Sequence, residues 1–512
     1  MNSLKPMLLT CLKSYDKSQF IKDVTAGIIV AIIALPLSIA LALASGVGPE
    51  AGIFTAIVAG FVISALGGSC VQIAGPTAAF ATIVAGIVAR DGMDGLIIAT
   101  IMAGIFLILM GLFHFGSLIK FIPYTITTGF TSGIAVTIVI GQLKDFFGVT
   151  YPDGVKPIET TVKAFVQNIS SVNTDALIVG IVSLAILILA PYIFKKVPGS
   201  LIAVIVGILM VQFLPLKVST IGNLYTISNS LPSFHMPAIR FSTISASVSN
   251  AFTIAVLAAI ESLLSCVVAD GMINSKHRSD MELVAQGAGN IASALFGGIP
   301  ATGAIARTAA NIKNGGRTPI AGMVHSVTLI IVLVVLMPYA GMIPMPTIAA
   351  ILFIVAYNMC QWRTFRDLVR TAPKSDILVL IVTFVLTVIF DLVVAIEIGM
   401  VLACLLFIKR MSEETHADSW VYTDDDTPDI DEHLQKLPLQ IRVYEITGPL
   451  FFGAADAIEH IVVKDFTRCL VLRMRGVPAL DSTAMNALQN LVKTCESKGI
   501  TLVFSHVNEQ PM

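Results

Sequence analysis

The chain has 512 residues, of which 55% are hydrophobic and only 13% are charged, and its mean hydropathy is +0.86. Soluble domains are about 45–50% apolar and about 25% charged, so this composition excludes a soluble enzyme. From Lys409 onward the chain holds 10 Lys/Arg against 16 Asp/Glu, which leaves 22 against 17 for the preceding residues. A basic, apolar block is therefore followed by an acidic tail.

Apolar stretches recur along the chain and predict about fourteen membrane segments. They lie near residues 24–45, 51–66, 77–89, 95–113, 125–143, 176–193, 199–214, 251–269, 285–296, 303–312, 320–338, 346–359, 376–390 and 392–408. Three of these, at 77–89, 285–296 and 303–312, are too short to cross about 30 Å of hydrocarbon at about 1.5 Å per residue. We expect those three to be half-helices or buried elements.

The polar, basic residues 1–22 that precede the first apolar run are predicted to be a cytoplasmic segment rather than a cleavable signal peptide. Lys and Arg are concentrated in the loops that lie inside when the N-terminus is inside. The sequence thus predicts a multi-pass protein of the cytoplasmic membrane with both termini in the cytoplasm.

The membrane domain, residues 23–408, contains an internal repeat. Pro36 precedes Glu261 by 225 residues, and Pro76 precedes Ala301 by the same 225 residues. Repeat one covers about 23–214 and repeat two about 251–408. Because each repeat holds seven segments, an odd number, the two copies are expected in opposite orientations, which is the inverted-repeat plan of secondary transporters.

Two segments interrupted by Gly and Pro lie at corresponding places in the repeats, at residues 71–80 and 297–307. Each is predicted to be a short extended piece followed by a half-helix. Two such half-helices would direct their N-terminal N–H groups at one point, which favours an anion. The alternative is that Gly-Pro merely kinks a packed helix.

Two ionisable residues lie deep in predicted spans, where charge is costly unless it faces a cavity or a partner. Arg307 offers a fork of donors to an oxyanion, or else forms a structural salt bridge or reaches the membrane surface. Glu261 could bind a coupling proton, or Na⁺ together with Ser265 one helical turn away. Glu261 could instead neutralise Arg307 or cap a half-helix.

Four ordered motifs carry a family resemblance: residues 36–46, GPTAAF at 75–80, IESLLS at 260–265 and ATGAIARTAAN at 301–311. They resemble the sulfate-permease (SulP) anion transporters, and their wording is most similar to a bacterial branch that includes four-carbon dicarboxylate carriers. The resemblance implies a seven-plus-seven inverted fold with a mobile core domain and a gate domain. It also implies a homodimer and an anion held between the third and tenth segments.

Transferred to this chain, the resemblance implies a set of substrate-binding residues: Leu37, Leu41, Thr77, Ala78, Ala304, Ala306 and Arg307. Some animal members have Gln and an aromatic residue where Leu37 and Leu41 stand, and Ser where Ala306 stands. Backbone N–H groups and Arg307 would therefore hold the anion here. Glu261 and Ser265 match positions that the family links to a coupling ion.

Residues 409–438 are charged and rich in turn formers, which predicts a linker. Residues 439–512 are predicted to form a small α/β domain. It resembles a STAS domain and is expected to be incomplete at its end. Strands are predicted at 441–446, 469–473 and 500–505, and helices at 454–464 and 484–498. Thr483 stands where related domains are phosphorylated, although Asp481 and Ser482 are equally typical of a helix N-cap.

The sequence favours a proton-coupled secondary transporter of a small anion, such as sulfate, another inorganic anion or succinate, that works by an elevator-like motion. Alternatives are Na⁺-coupled bicarbonate transport, nucleobase symport, or an anion channel or sensor that signals through its tail. No nucleotide, metal or nucleophile motif is present, so neither an enzyme nor a cofactor nor a nucleic-acid partner is expected. The seven cysteines lack CxxC or Cys/His spacing and are interpreted as packing residues.

Overall fold

The computed structural model describes residues 4–117, 122–150, 158–193, 197–227, 230–237, 241–390, 392–420, 440–454 and 466–512, with residues 438, 458 and 461. Its helices are α1 Leu8–Cys11, α2 Lys17–Ala44, α3 Pro49–Leu66, α4 Ala78–Leu112, α5 Tyr124–Phe147, α6 Ile158–Gln167, α7 Thr174–Ile193, α8 Gly199–Phe213, α9 Ile221–Leu224, α10 Phe241–Ile273, α11 Ser279–Leu295, α12 Ile305–Lys313, α13 Ile320–Ala340, α14 Met345–Cys360, α15 Trp362–Thr371, α16 Lys374–Ile389, α17 Leu392–Glu413 and α18 Ser482–Ser497. Its strands are β1 Ala74–Gly75, β2 Thr302–Gly303, β3 His416–Trp420, β4 Ile441–Thr447, β5 Cys469–Gly476 and β6 Thr501–Ser505.

Every predicted apolar segment is helical in its main part. The third and fourth segments are the two helical parts of α4. They meet at Gly92, where the backbone is not helical and has φ +70°. Among the described residues, eight helices are long and apolar enough to span a membrane. The polytopic helical fold predicted from hydropathy is confirmed.

The helices between residues 1 and 399 pack as two bundles. The first bundle consists of α2, α3, α4, α10, α11, α12 and α13, and the second is built from α5, α7, α8, α14 and α16. Each bundle takes helices from both repeats, as an inverted repeat requires. Most helix contacts lie within a bundle, so the boundary between the bundles is the weakly packed part of this unit.

The two Gly/Pro-interrupted segments meet within the first bundle. Strands β1 and β2 pair antiparallel, with Ala74 opposite Gly303 and Gly75 opposite Thr302. Each strand leads directly into a helix, β1 into α4 and β2 into α12. Because each strand has only two residues, the pairing keeps the starts of α4 and α12 close together, although the two helices leave from opposite ends of the strand pair.

Residues 400–512 form a second unit. Four strands form a sheet in the order β3-β4-β5-β6, in which β3 is antiparallel to β4 and the other pairs are parallel. Apolar side chains from β4, β5 and α18, including Ile446, Leu472 and Leu488, make its core. The predicted strands are confirmed, as is the predicted helix near 484–498, which the structure has at Ser482–Ser497.

The segment predicted as a linker, 409–438, is partly structured. Helix α17 continues to Glu413, and β3 adds a strand to the sheet edge by pairing with residues 443–447 of β4. The strand His416–Trp420 is short and follows two glutamates. Composition therefore suggested a charged, turn-rich stretch there. The rest of the linker, and most of the helix predicted at 454–464, lie outside the described residues.

Candidate functional site: two helix starts and a buried arginine

The starts of α4 and α12 lack side-chain caps. Thr77 and Ala304 are the residues at the two N-cap positions, and neither side chain accepts a hydrogen bond from its own helix. The first N–H groups of a helix have no partner within that helix, and the helix dipole adds positive potential there. The pairing of β1 with β2 brings both uncapped starts to one place, where an anion would be attracted.

Arg307, in the first turn of α12, is 3% exposed. Its Nη2 donates to the carbonyl oxygen of Pro76 at 3.2 Å and to Ser38 Oγ at 3.4 Å, whereas Nη1 has no hydrogen-bond partner among the described residues. Gly75 lies directly beside Nη1. A salt bridge is thus not what holds Arg307, and its free donor remains available to an oxyanion.

Glu261, on α10, is joined to the first of the two helix starts. The hydroxyl of Thr77 donates to Glu261 Oε2 at 2.9 Å, and both side chains are half-buried. Among the described residues, Glu261 thus contacts a side chain and accepts no hydrogen bond from the backbone N–H groups of either half-helix. The structure places the acidic residue one hydrogen bond away from the residue at which α4 begins.

The next turns of α10 contact the second interrupted segment. Ser262 Oγ lies 2.7 Å from Thr302 Oγ1 and accepts from the N–H of Gly303 at 3.0 Å. Ser265 Oγ donates to Thr308 Oγ1 at 3.4 Å and is buried. Ser265 and Glu261 thus have separate partners, and α10 contacts both interrupted segments.

The remaining substrate-binding residues implied by the resemblance surround the two helix starts or lie on the neighbouring helix α2. Ala78 and Ala304 are buried, whereas Ala306 is exposed. On α2, Leu41 is buried and Leu37 is half-buried, close in sequence to Ser38, which contacts Arg307. The side chains named around the two helix starts are therefore apolar except for Thr77 and Arg307 and their partners Glu261 and Ser38.

Two buried polar residues were missed from the sequence. Glu282 on α11 is fully buried and accepts from Gly68 N at 2.9 Å, Gln72 Nε2 at 2.7 Å and Gln286 Nε2 at 2.9 Å. It ties α11 to the segment that precedes β1. It precedes the short apolar run 285–296 instead of lying inside a span, so hydropathy alone did not mark it.

His325 on α13 is also fully buried, and neither ring nitrogen has a partner among the described residues. It is close enough to Arg307 for the two groups to interact electrostatically. The signal for it was available, since an ionisable residue inside an apolar span marks a functional region. Among the described residues no group of three or more His, Cys, Asp or Glu is arranged to hold a metal ion.

In this polytopic helical protein, two half-helix starts and an arginine meet within one bundle. That is the architecture of a secondary transporter. Residues 20–383 match the sulfate permease family, and residues 436–512 match the STAS domain. The chain belongs to the sulfate permease family. That family consists of transporters, so the prediction that the chain is not an enzyme is confirmed.

Individual relatives agree with this assignment. The chain is 39% identical over 504 residues to the proposed sulfate transporter YvdB of Bacillus subtilis (strain 168), covering 98% of this chain and 94% of YvdB. It is 31% identical over 494 residues to the bicarbonate transporter BicA of Picosynechococcus sp., covering 93% and 87%. A solved structure of SLC26A9 superposes with a TM-score of 0.88 at 20% identity, covering 99% of this chain and 88% of that chain, which supports the fold.

Proposed function

We propose that this protein carries a small oxyanion across the cytoplasmic membrane by secondary active transport coupled to proton entry, with both termini in the cytoplasm. The observation that carries the proposal is the buried guanidinium of Arg307, whose Nη1 has no partner among the described residues. Sulfate, bicarbonate and four-carbon dicarboxylates such as succinate all present oxygens that such a donor binds. Two relatives are named for sulfate and for bicarbonate, which supports the first two.

The proposed anion site combines three kinds of donor. Backbone N–H groups come from the starts of α4 and α12, and Nη1 comes from Arg307. The apolar walls at Leu37 and Leu41 exclude water and strengthen these interactions. Nucleobase edges would need paired donors and acceptors, whereas the groups proposed to hold the ligand, the backbone N–H groups and Nη1 of Arg307, are all donors, so an anion fits the site better.

Glu261 is the proposed coupling group. It contacts Thr77, which begins α4, so the charge on Glu261 bears directly on the anion site. A proton bound by Glu261 would remove a negative charge near the incoming anion and lower the cost of moving the loaded site. The partner of Glu261 is a neutral hydroxyl, and Ser265 bonds elsewhere, which favours a proton over Na⁺.

For the movement itself, we propose that the first bundle, which contains both interrupted segments, shifts against the second bundle. The sparse packing between the bundles permits such a rigid-body motion, while the dense packing within each bundle preserves the site. The homodimer expected from the family would anchor the second bundle.

The anion site is tested with purified protein in liposomes. Uptake of sulfate, bicarbonate, succinate and uracil is compared for the wild type, Arg307→Gln and the control Arg363→Gln, which alters an exposed arginine on α15. Loss of a charged donor costs about 1.5–3 kcal/mol per hydrogen bond, so Arg307→Gln should weaken anion uptake at least tenfold. Unchanged uptake in Arg307→Gln, or displacement of substrate by uracil alone, would refute the anion site.

The coupling is tested in the same liposomes with an imposed pH gradient. Wild-type uptake should accumulate the anion only when the outside is acidic, and Glu261→Gln should bind the anion without responding to the gradient. Glu397→Gln, an exposed position on α17, serves as the control. Accumulation driven by a Na⁺ gradient would replace the proton by Na⁺, and flux without accumulation would indicate a channel or sensor.

A further inference from the structure

Two of the seven cysteines lie in contact although they are far apart in the sequence. The sulfur atoms of Cys11 and Cys70 are 3.4 Å apart and share a hydrogen bond. Cys11 ends helix α1, and Cys70 lies in the segment between α3 and β1. Both thiols are free and both are half-buried. Their spacing in sequence gave no sign of this pairing.

The surroundings of the pair make the Cys11 thiol the more reactive one and place the Cys70 thiol beside it. Cys11 lines an open cavity of about 330 Å³ together with Tyr15, Lys22 and Arg317. The hydrogen bond with Cys70, assisted by the positive charge of Arg278, lowers the pKa of the Cys11 thiol. The same hydrogen bond and burial raise the pKa of the Cys70 thiol. Cys11 is thus the more nucleophilic thiol and the one that solutes reach first.

The pair joins a short N-terminal helix to the segment that leads into the anion site. The N–H of Met7 donates to the carbonyl oxygen of Gly67 at 2.8 Å, and Arg278 donates to the carbonyl oxygen of Lys5 at 2.8 Å. Three residues after Cys70, Ile73 accepts from the N–H of Ala304, which begins α12.

We propose that Cys11 and Cys70 form a reversible oxidation site, at which a peroxide joins the two thiols in a disulfide that ties helix α1 to the segment preceding β1. A disulfide has an S–S distance of about 2.05 Å, so the sulfur atoms must approach by little more than 1 Å. That movement is within reach of a side-chain adjustment at the end of α1, a helix of a single turn.

The chemistry needs only the two thiols and the peroxide. The Cys11 thiolate attacks one peroxide oxygen, the O–O bond breaks, and Cys11 becomes a sulfenic acid while one water leaves. The Cys70 sulfur then attacks the Cys11 sulfur, the S–O bond breaks, and a second water leaves. The two thiols lose two electrons and two protons in all, and the peroxide is reduced to two waters. A dithiol reductant reverses the step.

The test uses the purified full-length protein. Reduced protein is treated with hydrogen peroxide, its remaining thiols are alkylated, and tryptic peptides are identified by mass spectrometry without reduction. We expect a linked pair of peptides containing Cys11 and Cys70, with alkylation of both cysteines reduced at least about fivefold and restored by dithiothreitol. The oxidised protein should also unfold at a higher temperature, because the cross-link restrains the unfolded chain.

Matched variants separate this pair from general oxidation. Cys360→Ser removes another half-buried thiol and should leave the linked peptides unchanged. Cys11→Ser and Cys70→Ser should each abolish them, and a thermal unfolding curve equal to that of the reduced wild type shows that each variant folds. The proposal is overturned if Cys11 and Cys70 stay alkylated under conditions that oxidise the exposed Cys404, or if peroxide links either of them mainly to another molecule.

Discussion

The two helix starts that meet at the proposed anion site share a backbone plan but differ in their side chains. Helix α4 begins after Thr77, and its third residue is Phe80, which is fully buried. Helix α12 begins after Ala304, and its third residue is Arg307, which is 3% exposed. The hydroxyl is therefore on the first repeat and the positive charge on the second.

The shared and the distinct features of the two helix starts have different roles in the proposed proton-coupled transport. What the repeats have in common, an uncapped helix start behind a short strand, supplies backbone donors from two directions. Their side chains differ in the roles that we propose for them, since Arg307 would supply the charge that attracts an anion, whereas Thr77 contacts the proposed coupling residue Glu261. The uncapped starts contrast with α2 and α18, whose first N–H groups are capped by Asp16 and Asp481.

The largest effect is expected when α12 is given the cap that it lacks. Ala304→Asp would place a carboxylate at the N-cap, where it accepts from the first-turn N–H groups and faces the positive end of the helix. A fixed negative charge beside the anion costs several kcal/mol, so the apparent affinity should fall at least about a hundredfold. Initial uptake rates measured against substrate concentration in liposomes give this value.

Ala304→Ser is the matched control for that change. A serine caps the same N–H groups but adds no charge, so it separates competition for donors from electrostatic exclusion. We expect Ala304→Ser to weaken uptake far less than Ala304→Asp does. Equal effects of the two substitutions would mean that backbone donors, rather than charge, determine binding at this start.

Much of this site could be predicted from the sequence, and the rest depends on contacts between distant residues. Apolar runs predicted the spanning helices, and the interrupted segments indicated two half-helices at one site because Gly and Pro leave a local signal. The bond between Thr77 and Glu261 and the contact of Cys11 with Cys70 join residues far apart in the chain. Periodicity carries no information on such pairs. Regulation through Thr483 stays a prediction, since the structure shows Asp481 capping α18.

A smaller effect is expected when the first interrupted segment is made to press on the arginine of the second. A methyl group at Gly75 would collide with Nη1 of Arg307, so Gly75→Ala should displace the guanidinium. Misplacement of a binding group by a fraction of an ångström should weaken anion affinity by about tenfold. Gly86→Ala is the control, because a methyl group there meets nothing within 4 Å. An equal loss of uptake in both variants would contradict a role for the shape around Arg307.

The smallest effect on rate, and the most informative on coupling, is expected from Thr77→Val. Valine keeps the shape of threonine and removes only the hydroxyl that donates to Glu261 at 2.9 Å, and since Thr77 does not cap α4 by its side chain, the helix start should stay intact. Uptake should fall by about tenfold or less, because the hydroxyl that is lost donates to Glu261 and not to the anion, so the free energy of anion binding changes only indirectly. The dependence of uptake on external pH should change, because the proton site has lost its link to the anion site.

Thr100→Val is the control on the same helix, since that hydroxyl donates only to the carbonyl oxygen of Leu96, at 2.7 Å. If both variants keep the wild-type pH profile, the hydrogen bond between Thr77 and Glu261 does not link the proposed proton site to the anion site.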